Sequence, residues 1–256
     1  MELIVHADAG LLAKAAAARL ITALVDAQAQ RGEASLVLTG GGIGIALLRA
    51  LRTSPALDAV NWSKVDVWWG DERFVPADSP DRNSHQAREA LLDHVPVDEK
   101  RVFEAGALAA AGGSQHDAGG YAEPEQAAAD YAAALAARAP AGAAVPAFDV
   151  LLLGIGPEGH VASIFPHSPA AAAAEPVVAI RESPKPPPNR ISFTFPTIQA
   201  ARQVWVIAAG EEKADAVATA VAGADAWGLP AAGAHGLERT LWLVDRAAAS
   251  RAGQGG

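Results

Sequence analysis

Short apolar segments alternate with helical segments along most of this chain of 256 residues. A short apolar run bounded by turn residues is typical of a buried strand, and apolar residues at helical spacing predict a helix. Strands separated by helices pair in parallel, with the helices packed on the faces of the sheet. The pattern therefore predicts an α/β fold of three layers, in which a mostly parallel sheet carries helices on both faces.

The turn and capping residues set the expected boundaries of these elements. The predicted strands cover residues 3–6, 35–39, 64–69, 148–153, 176–180, 191–195, 203–209 and 240–245. The predicted helices cover residues 8–30, 43–52, 83–94, 123–138 and 211–222.

Neither a linker nor an internal repeat divides the sequence. We therefore expect a single domain over residues 1–246, followed by a small polar tail, 247–256, that we expect to be disordered. A segment rich in glycine and alanine, residues 105–122, shows no clear period and is predicted to be a surface loop.

The composition excludes several kinds of partner and cofactor. The net charge of −9 argues against nucleic acid, because a phosphate backbone needs a basic face. The chain has no cysteine, which rules out disulfides and thiolate metal sites, and no histidine pair has the spacing of a metal site on a helix. We see no signal peptide and no uninterrupted apolar span, so the sequence predicts a cytoplasmic protein without a membrane partner, as a monomer or small homo-oligomer.

A glycine turn between a predicted strand and a predicted helix is a candidate anion site. It contains Gly40, Gly41 and Gly42, followed by Ile43 and Gly44. Glycines allow the backbone to approach an anion closely, and the start of a helix offers free N–H groups and the positive end of its dipole. A tight turn with positive φ angles is the alternative. The lysine and hydroxyl of a nucleotide-binding P-loop are missing, so ATP or GTP is not expected.

A second polar group follows the predicted strand 64–69 directly. Asp71, Glu72 and Arg73 lie where ligands bind in open α/β sheets, outside the carboxyl ends of the strands. The position makes Asp71 a candidate catalytic carboxylate and Arg73 a candidate binding cation. A surface ion pair of little energetic value is the alternative.

The run from residue 148 to 160 combines an apolar strand, a glycine-rich turn and a histidine. His160 is suited to proton transfer near neutral pH, and Glu158 could orient its ring. The turn also matches G-x-G-x-x-G, a dinucleotide motif that belongs in the first βα unit, so an NAD enzyme is a weaker alternative. A buried or capping histidine without catalytic function is another.

Two cations lie further along the chain. Arg190 opens a predicted strand after a proline-rich segment, and Lys213 lies in the first turn of a predicted helix. A lysine there opposes the helix dipole, which Glu211 and Glu212 could offset. Alternatively, Arg190 and Lys213 point at a bound anion.

These segments together resemble those of 6-phosphogluconolactonases, in the same order and over nearly the whole chain. They are the glycine turn 40–44, Asp-Glu-Arg-Phe-Val-Pro at 71–76, the run 154–166, and Arg-Ile-Ser-Phe-Thr at 190–194. Glucosamine-6-phosphate deaminases share the scaffold, but they usually have Asp-Glu-Tyr in place of Asp-Glu-Arg. They also usually have Phe-Asn-Glu-Pro in place of the Ser-Ile-Phe-Pro at 163–166. At both places this chain resembles the lactonases.

The resemblance implies the Rossmann-like scaffold of lactonases and deaminases and the hydrolysis of 6-phosphogluconolactone, a small sugar-phosphate lactone, in the oxidative pentose phosphate pathway. It implies no cofactor. The phosphate would be bound by the backbone at Gly41 and Gly42 with Arg190 and Lys213, while Arg73 would add positive charge.

By the same resemblance, His160 is the general base. This chain departs from the family pattern at Glu158, where aspartate is usual, and at residues 42–44, where Gly-Ile-Gly replaces Ser-Thr-Pro. Two alternatives remain besides the NAD enzyme: an isomerase-deaminase in which Asp71 removes a carbon-bound proton, and a sugar-phosphate sensor without catalysis.

Overall fold

Six parallel strands form the central sheet of the computed structural model, which describes residues 1–109 and 120–253. The described strands are β1 (Glu2–His6), β2 (Ala34–Leu38), β3 (Val65–Trp69), β4 (Asp71–Arg73), β5 (Ala107–Leu108), β6 (Gly120–Tyr121), β7 (Val150–Gly154), β8 (Val177–Ile180), β9 (Arg190–Phe193), β10 (Gln203–Ala208) and β11 (Arg239–Asp245). The described α-helices are α1 (Ala9–Arg31), α2 (Gly41–Arg52), α3 (Asn83–Ala90), α4 (Pro124–Arg138), α5 (Phe195–Gln199) and α6 (Ala214–Val221).

The central sheet has the strand order β1-β11-β10-β7-β2-β3, and every neighbouring pair is parallel. The predicted three-layer fold with a mostly parallel sheet is therefore confirmed. A smaller antiparallel sheet, β4-β9-β8, accounts for the strands predicted near 176–180 and 191–195. Because β4 follows β3 after Gly70 alone, this second sheet continues from the carboxyl edge of the first.

Hydrophobic cores lie on both faces of the central sheet. Successive side chains of a strand point to opposite faces, so Leu151 and Leu153 of β7 join one core while Val150 and Leu152 join the other. Both faces are buried, which explains why β7 is a continuous apolar run rather than an alternating one.

Several predicted boundaries differ from the structure. The glycine turn after β2 is itself the first turn of α2, which begins at Gly41 rather than near Ile43. The helix predicted over 83–94 ends at Ala90, and a short 3-10 helix follows at Leu92–His94. The helix predicted from 211 begins with a 3-10 turn, Glu211–Lys213, before α6.

The predicted loop and the predicted tail are described only in part. At the ends of the loop, β5 and β6 pair in parallel, and residues 110–119 lie outside the described residues. The chain stays packed past residue 246: Ala248 is fully buried, and its N–H donates to Asp245 at 2.7 Å. Residues 254–256 lie outside the described residues.

A buried tyrosine of α4 fixes the carboxyl end of β3. The Tyr131 hydroxyl accepts the backbone N–H of Trp69 at 2.9 Å and lies 3.1 Å from the Trp69 carbonyl oxygen and 3.2 Å from that of Phe103. Trp69 is the last residue of β3, which lies at the edge of the central sheet and pairs there with β2. The hydroxyl therefore holds the point from which the chain turns into β4.

We expect Tyr131→Phe to lower the free energy of unfolding by about 1–3 kcal/mol, because it leaves buried backbone groups without a partner. Tyr121→Phe is the matched control: that hydroxyl donates to the exposed Asp130 at 2.7 Å, and its loss should cost less than about 1 kcal/mol. Urea unfolding of both variants measures these changes. Equal losses of unfolding free energy in the two variants would contradict the structural role of the Tyr131 hydroxyl.

Candidate active site

Most of the predicted site residues meet in one cavity of about 290 Å³ at the carboxyl edge of the central sheet. The predicted residues that line it are Gly40, Gly41, Asp71, Arg73, His160, Arg190 and Lys213. Gly42 lines an adjoining cavity of about 440 Å³, which shares Gly40, Gly41 and Lys213 with the first. Glu158 does not line the cavity, but its carboxylate contacts Nδ1 of His160.

The glycine turn presents the start of α2 to both cavities. Gly40 is the N-cap residue and has no side chain to accept the N–H groups of the first turn. Gly41 has a φ of +81°, in the left-handed region that favours glycine. An anion in the cavity could accept these N–H groups, since the first four of a helix have no partner within it.

The Asp71 carboxylate is held rigidly at the floor of the cavity. Its side chain is only 9% exposed, and Oδ2 accepts the Ser163 hydroxyl at 2.7 Å. The Asn83 amide donates to the Asp71 carbonyl oxygen at 2.9 Å. The sequence analysis did not identify Ser163 or Asn83 as site residues, because neither follows a strand directly.

The middle residue of the Asp-Glu-Arg motif has a structural function. Glu72 is 1% exposed and accepts the N–H groups of Arg73, Asn83 and Ser84 at 2.7–2.9 Å. Burial raises the pKa of the Glu72 carboxyl, while Arg82 and these N–H groups act in the opposite direction. Glu72, on β4, thereby caps the start of α3 and holds Asn83 within hydrogen-bonding distance of Asp71.

Arg73 is oriented by the loop before α3. Its Nη1 donates to the Asp81 carbonyl oxygen at 2.6 Å, while its buried Nε has no hydrogen-bond partner among the described residues. The guanidinium lines the cavity with Asp71 and His160, so it supplies positive charge where a substrate would lie.

A closed turn after β7 places His160. The Gly156 N–H donates to the His160 carbonyl oxygen at 3.0 Å, and the ring stacks on Phe165 with centroids 4.5 Å apart. A Cβ at position 156 would lie only 2.0 Å from His160 Nδ1, so only glycine fits there. Residues 155–168 contain no helix, whereas a dinucleotide motif requires one directly after its glycines. The geometry therefore argues against the NAD alternative.

Glu158 contacts His160 on one side and Lys185 on the other. His160 Nδ1 lies 3.0 Å from Glu158 Oε1, and Lys185 Nζ lies 2.9 Å from the same carboxylate. Partial burial acts to raise the pKa of Glu158, but the hydrogen bond from Lys185, a backbone hydrogen bond and the charges of His160 and Lys185 together outweigh it, so the pKa lies below its usual value. The sequence analysis missed Lys185, which lies within the proline-rich segment and lines the cavity.

Burial lowers the pKa of the His160 imidazole, and the nearby Lys185 lowers it further, although Glu158 and Asp71 oppose both effects. The ring is therefore neutral at pH 7. If Nδ1 carries the proton and donates it to the Glu158 carboxylate, Nε2 has a free lone pair that can accept a proton.

The two remaining cations have different environments. Arg190 is 5% exposed and donates mainly to backbone carbonyl groups. Lys213 lies where the two cavities meet, and burial lowers the pKa of its ammonium group. Lys213 is thus the better placed of the two to meet an anion at the start of α2.

Within residues 1–109 and 120–253, no group of three or more His, Asp or Glu side chains is arranged to hold a metal ion. No helix in the same ranges is long and apolar enough to cross a membrane.

Known proteins of one family resemble the chain over nearly its whole length. Residues 7–242 match the family model described as glucosamine-6-phosphate isomerases/6-phosphogluconolactonase. The 6-phosphogluconolactonase of Streptomyces coelicolor is 57% identical over 253 residues, which is 98% of this chain and 94% of that protein. The 6-phosphogluconolactonase of Mycobacterium tuberculosis is 51% identical over 245 residues, 95% of each chain.

Solved structures agree with these relatives. The solved structure of 6-phosphogluconolactonase from Trypanosoma brucei has a TM-score of 0.80 and 30% identity, and the match covers 97% of each chain. A monomeric glucosamine-6-phosphate deaminase has a TM-score of 0.78 at 20% identity and covers 98% of this chain and all of that one. At that identity the deaminase shows a common fold only.

The geometry predicts an anion site at the start of α2, next to Lys213. We expect Lys213→Met to weaken the binding of inorganic phosphate by about tenfold or more, because a charge-assisted hydrogen bond is lost. Lys100→Met, at an exposed lysine far from the cavity, should leave binding unchanged. Isothermal titration calorimetry at low ionic strength measures both, and equal affinities in the two variants would contradict the site.

Proposed function

Because the chain belongs to the family of glucosamine-6-phosphate isomerases and 6-phosphogluconolactonases, we propose that it hydrolyses 6-phosphogluconolactone to 6-phosphogluconate. It is a carboxylic-ester hydrolase of the oxidative pentose phosphate pathway. The observation that carries the proposal is the 57% and 51% identity to proteins named 6-phosphogluconolactonase, over almost their full length.

The phosphate group of the substrate binds at the shared part of the two cavities. The N–H groups at the start of α2 and the Lys213 ammonium are the donors that support this placement. Binding energy from this remote group positions the lactone ring in the cavity that contains His160.

His160 activates water at the other end of the crevice. Nε2 removes a proton from a water molecule, whose oxygen attacks the lactone carbonyl and forms a tetrahedral intermediate. When the intermediate collapses, the bond between the carbonyl carbon and the ring oxygen breaks. The ring oxygen takes up the proton that His160 received, so the imidazole returns to its neutral state. A positioned base of this kind contributes about 10²–10⁴-fold to the rate.

The negative charge on the tetrahedral oxygen needs donors in the same cavity. Arg73 faces the cavity beside His160, and its charge supports a role in stabilising this oxygen. Asp71 hydrogen-bonds with Ser163 and lies 4.0 Å from Arg190 Nη1. These contacts favour a structural role for Asp71, in which it fixes Ser163 and Arg190 at the cavity wall. The deaminase alternative would instead require Asp71 to be a free base.

The proposal extends to the surroundings of the enzyme. We expect it to act in the cytoplasm on a small sugar phosphate, as a monomer or small homo-oligomer, without a cofactor. The net charge of −9 supports the expectation that nucleic acid is not a partner.

We expect the wild-type protein to hydrolyse 6-phosphogluconolactone with a kcat/KM at least about 100-fold higher than for unphosphorylated gluconolactone, because only the former reaches the anion site. His160→Ala should lose about 10²–10⁴-fold in kcat while phosphate binding remains. A pH-stat assay corrected for spontaneous hydrolysis measures both. Equal rates on the two lactones would refute the proposed phosphate site. Full activity of His160→Ala would refute the assignment of His160 as general base.

A further inference from the structure

The proline-rich segment, residues 184–188, cannot fix its own conformation through backbone hydrogen bonds. Four of its five residues are prolines, which lack an N–H group, and only Lys185 has one. The donors that fix it must therefore come from outside the segment. The backbone N–H of Ser183 donates to the Pro188 carbonyl oxygen at 2.8 Å, and the remaining donors are those of a side chain.

Arg190 supplies these donors. Nη2 donates to the carbonyl oxygens of Lys185 and Pro186 at 3.0 and 3.2 Å, and Nε donates to that of Pro187 at 3.2 Å. Its guanidinium also lies 5.7 Å over the ring of Phe165, the same ring on which His160 stacks. Most of the hydrogen-bonding capacity of Arg190 is thus committed to the segment, and only Nη1 faces Ser163 and Asp71, at 3.5 and 4.0 Å.

Because the segment is fixed, the Lys185 side chain lies next to Glu158 and His160. Its ammonium lies 2.9 Å from the Glu158 carboxylate, whose Oε1 lies 3.0 Å from His160 Nδ1. The carboxylate is therefore held between a cation and the imidazole. Glutamate has a long, flexible side chain, so a second contact helps to hold it in one rotamer.

We propose that Lys185 is a positioning residue that holds Glu158 against His160, and that Arg190 supports this contact by holding residues 184–188. The inference rests on the proposed lactone hydrolysis, because the effect of the positioning is on the base of that reaction.

The charges around His160 give the inference a pH signature. The groups near the imidazole or in its cavity are Glu158, Lys185, Asp71, Arg73, Arg190 and Lys213. Removing Lys185 leaves the negative charge of Glu158 without its closest counterion, so the protonated imidazole becomes more stable. A base that stays protonated to higher pH loses activity at higher pH, and the acid limb of kcat/KM must then move upward.

The experiment measures kcat and KM for 6-phosphogluconolactone between pH 5 and 8. In Lys185→Met we expect the midpoint of the acid limb to rise by about half a pH unit or more. The conservative Lys185→Arg should keep the wild-type midpoint, and Lys100→Met serves as the surface control. Arg190→Lys should shift the limb in the same direction as Lys185→Met and lower kcat.

Combining Lys185→Met with Arg190→Lys should have a smaller effect than the product of the two single effects, because both act on one contact. In an active enzyme, an unshifted acid limb in Lys185→Met would overturn the inference. An unshifted limb in Arg190→Lys would overturn the part assigned to Arg190. A wild-type protein without lactonase activity would instead refute the proposed function itself.

Discussion

Parallel pairing of β2, β3, β7 and β10 is the constraint on which the rest of this structure depends. It brings the carboxyl ends of four strands to one edge of the sheet, and nearly every group of the candidate site follows one of these ends within a few residues. The glycine turn follows β2, Asp71 and Arg73 follow β3, and the histidine turn follows β7. Segments more than 100 residues apart in sequence thereby form a single cavity, as expected for open α/β sheets.

Opposite charges within this cavity divide it into two functional ends. Lys213 and the N–H groups at the start of α2 form an end that suits a phosphate, where Glu212 also lines the adjoining cavity. At the other end, Glu158 lies between Lys185 and His160, so Lys185 compensates part of its charge and the carboxylate stabilises a protonated imidazole less. Phe165 contacts both His160, which stacks on its ring, and Arg190, whose guanidinium lies 5.7 Å from the ring centroid.

Sequence patterns predicted the fold and most of the site because both depend on local signals. Apolar periodicity locates β7, and the glycines and His160 follow it directly. What the patterns missed depends on contacts between distant segments. Lys185 lies in a segment that reads only as a loop, and its importance comes from Arg190, which pairs with carbonyl groups rather than side chains. The antiparallel sheet likewise requires β4 to meet β9, about 120 residues later, and no local pattern encodes that pairing.

The central claim is that burial keeps His160 neutral while the Glu158 carboxylate holds its proton on Nδ1. Nitrogen-15 NMR of the histidine side chains of the wild-type protein tests this most directly, with His160 assigned from the spectrum of His160→Ala. The account predicts a protonated Nδ1 and an unprotonated Nε2 at pH 7, with a titration midpoint below the ordinary value of 6.5. A proton on Nε2, or an imidazolium at pH 7, would contradict it.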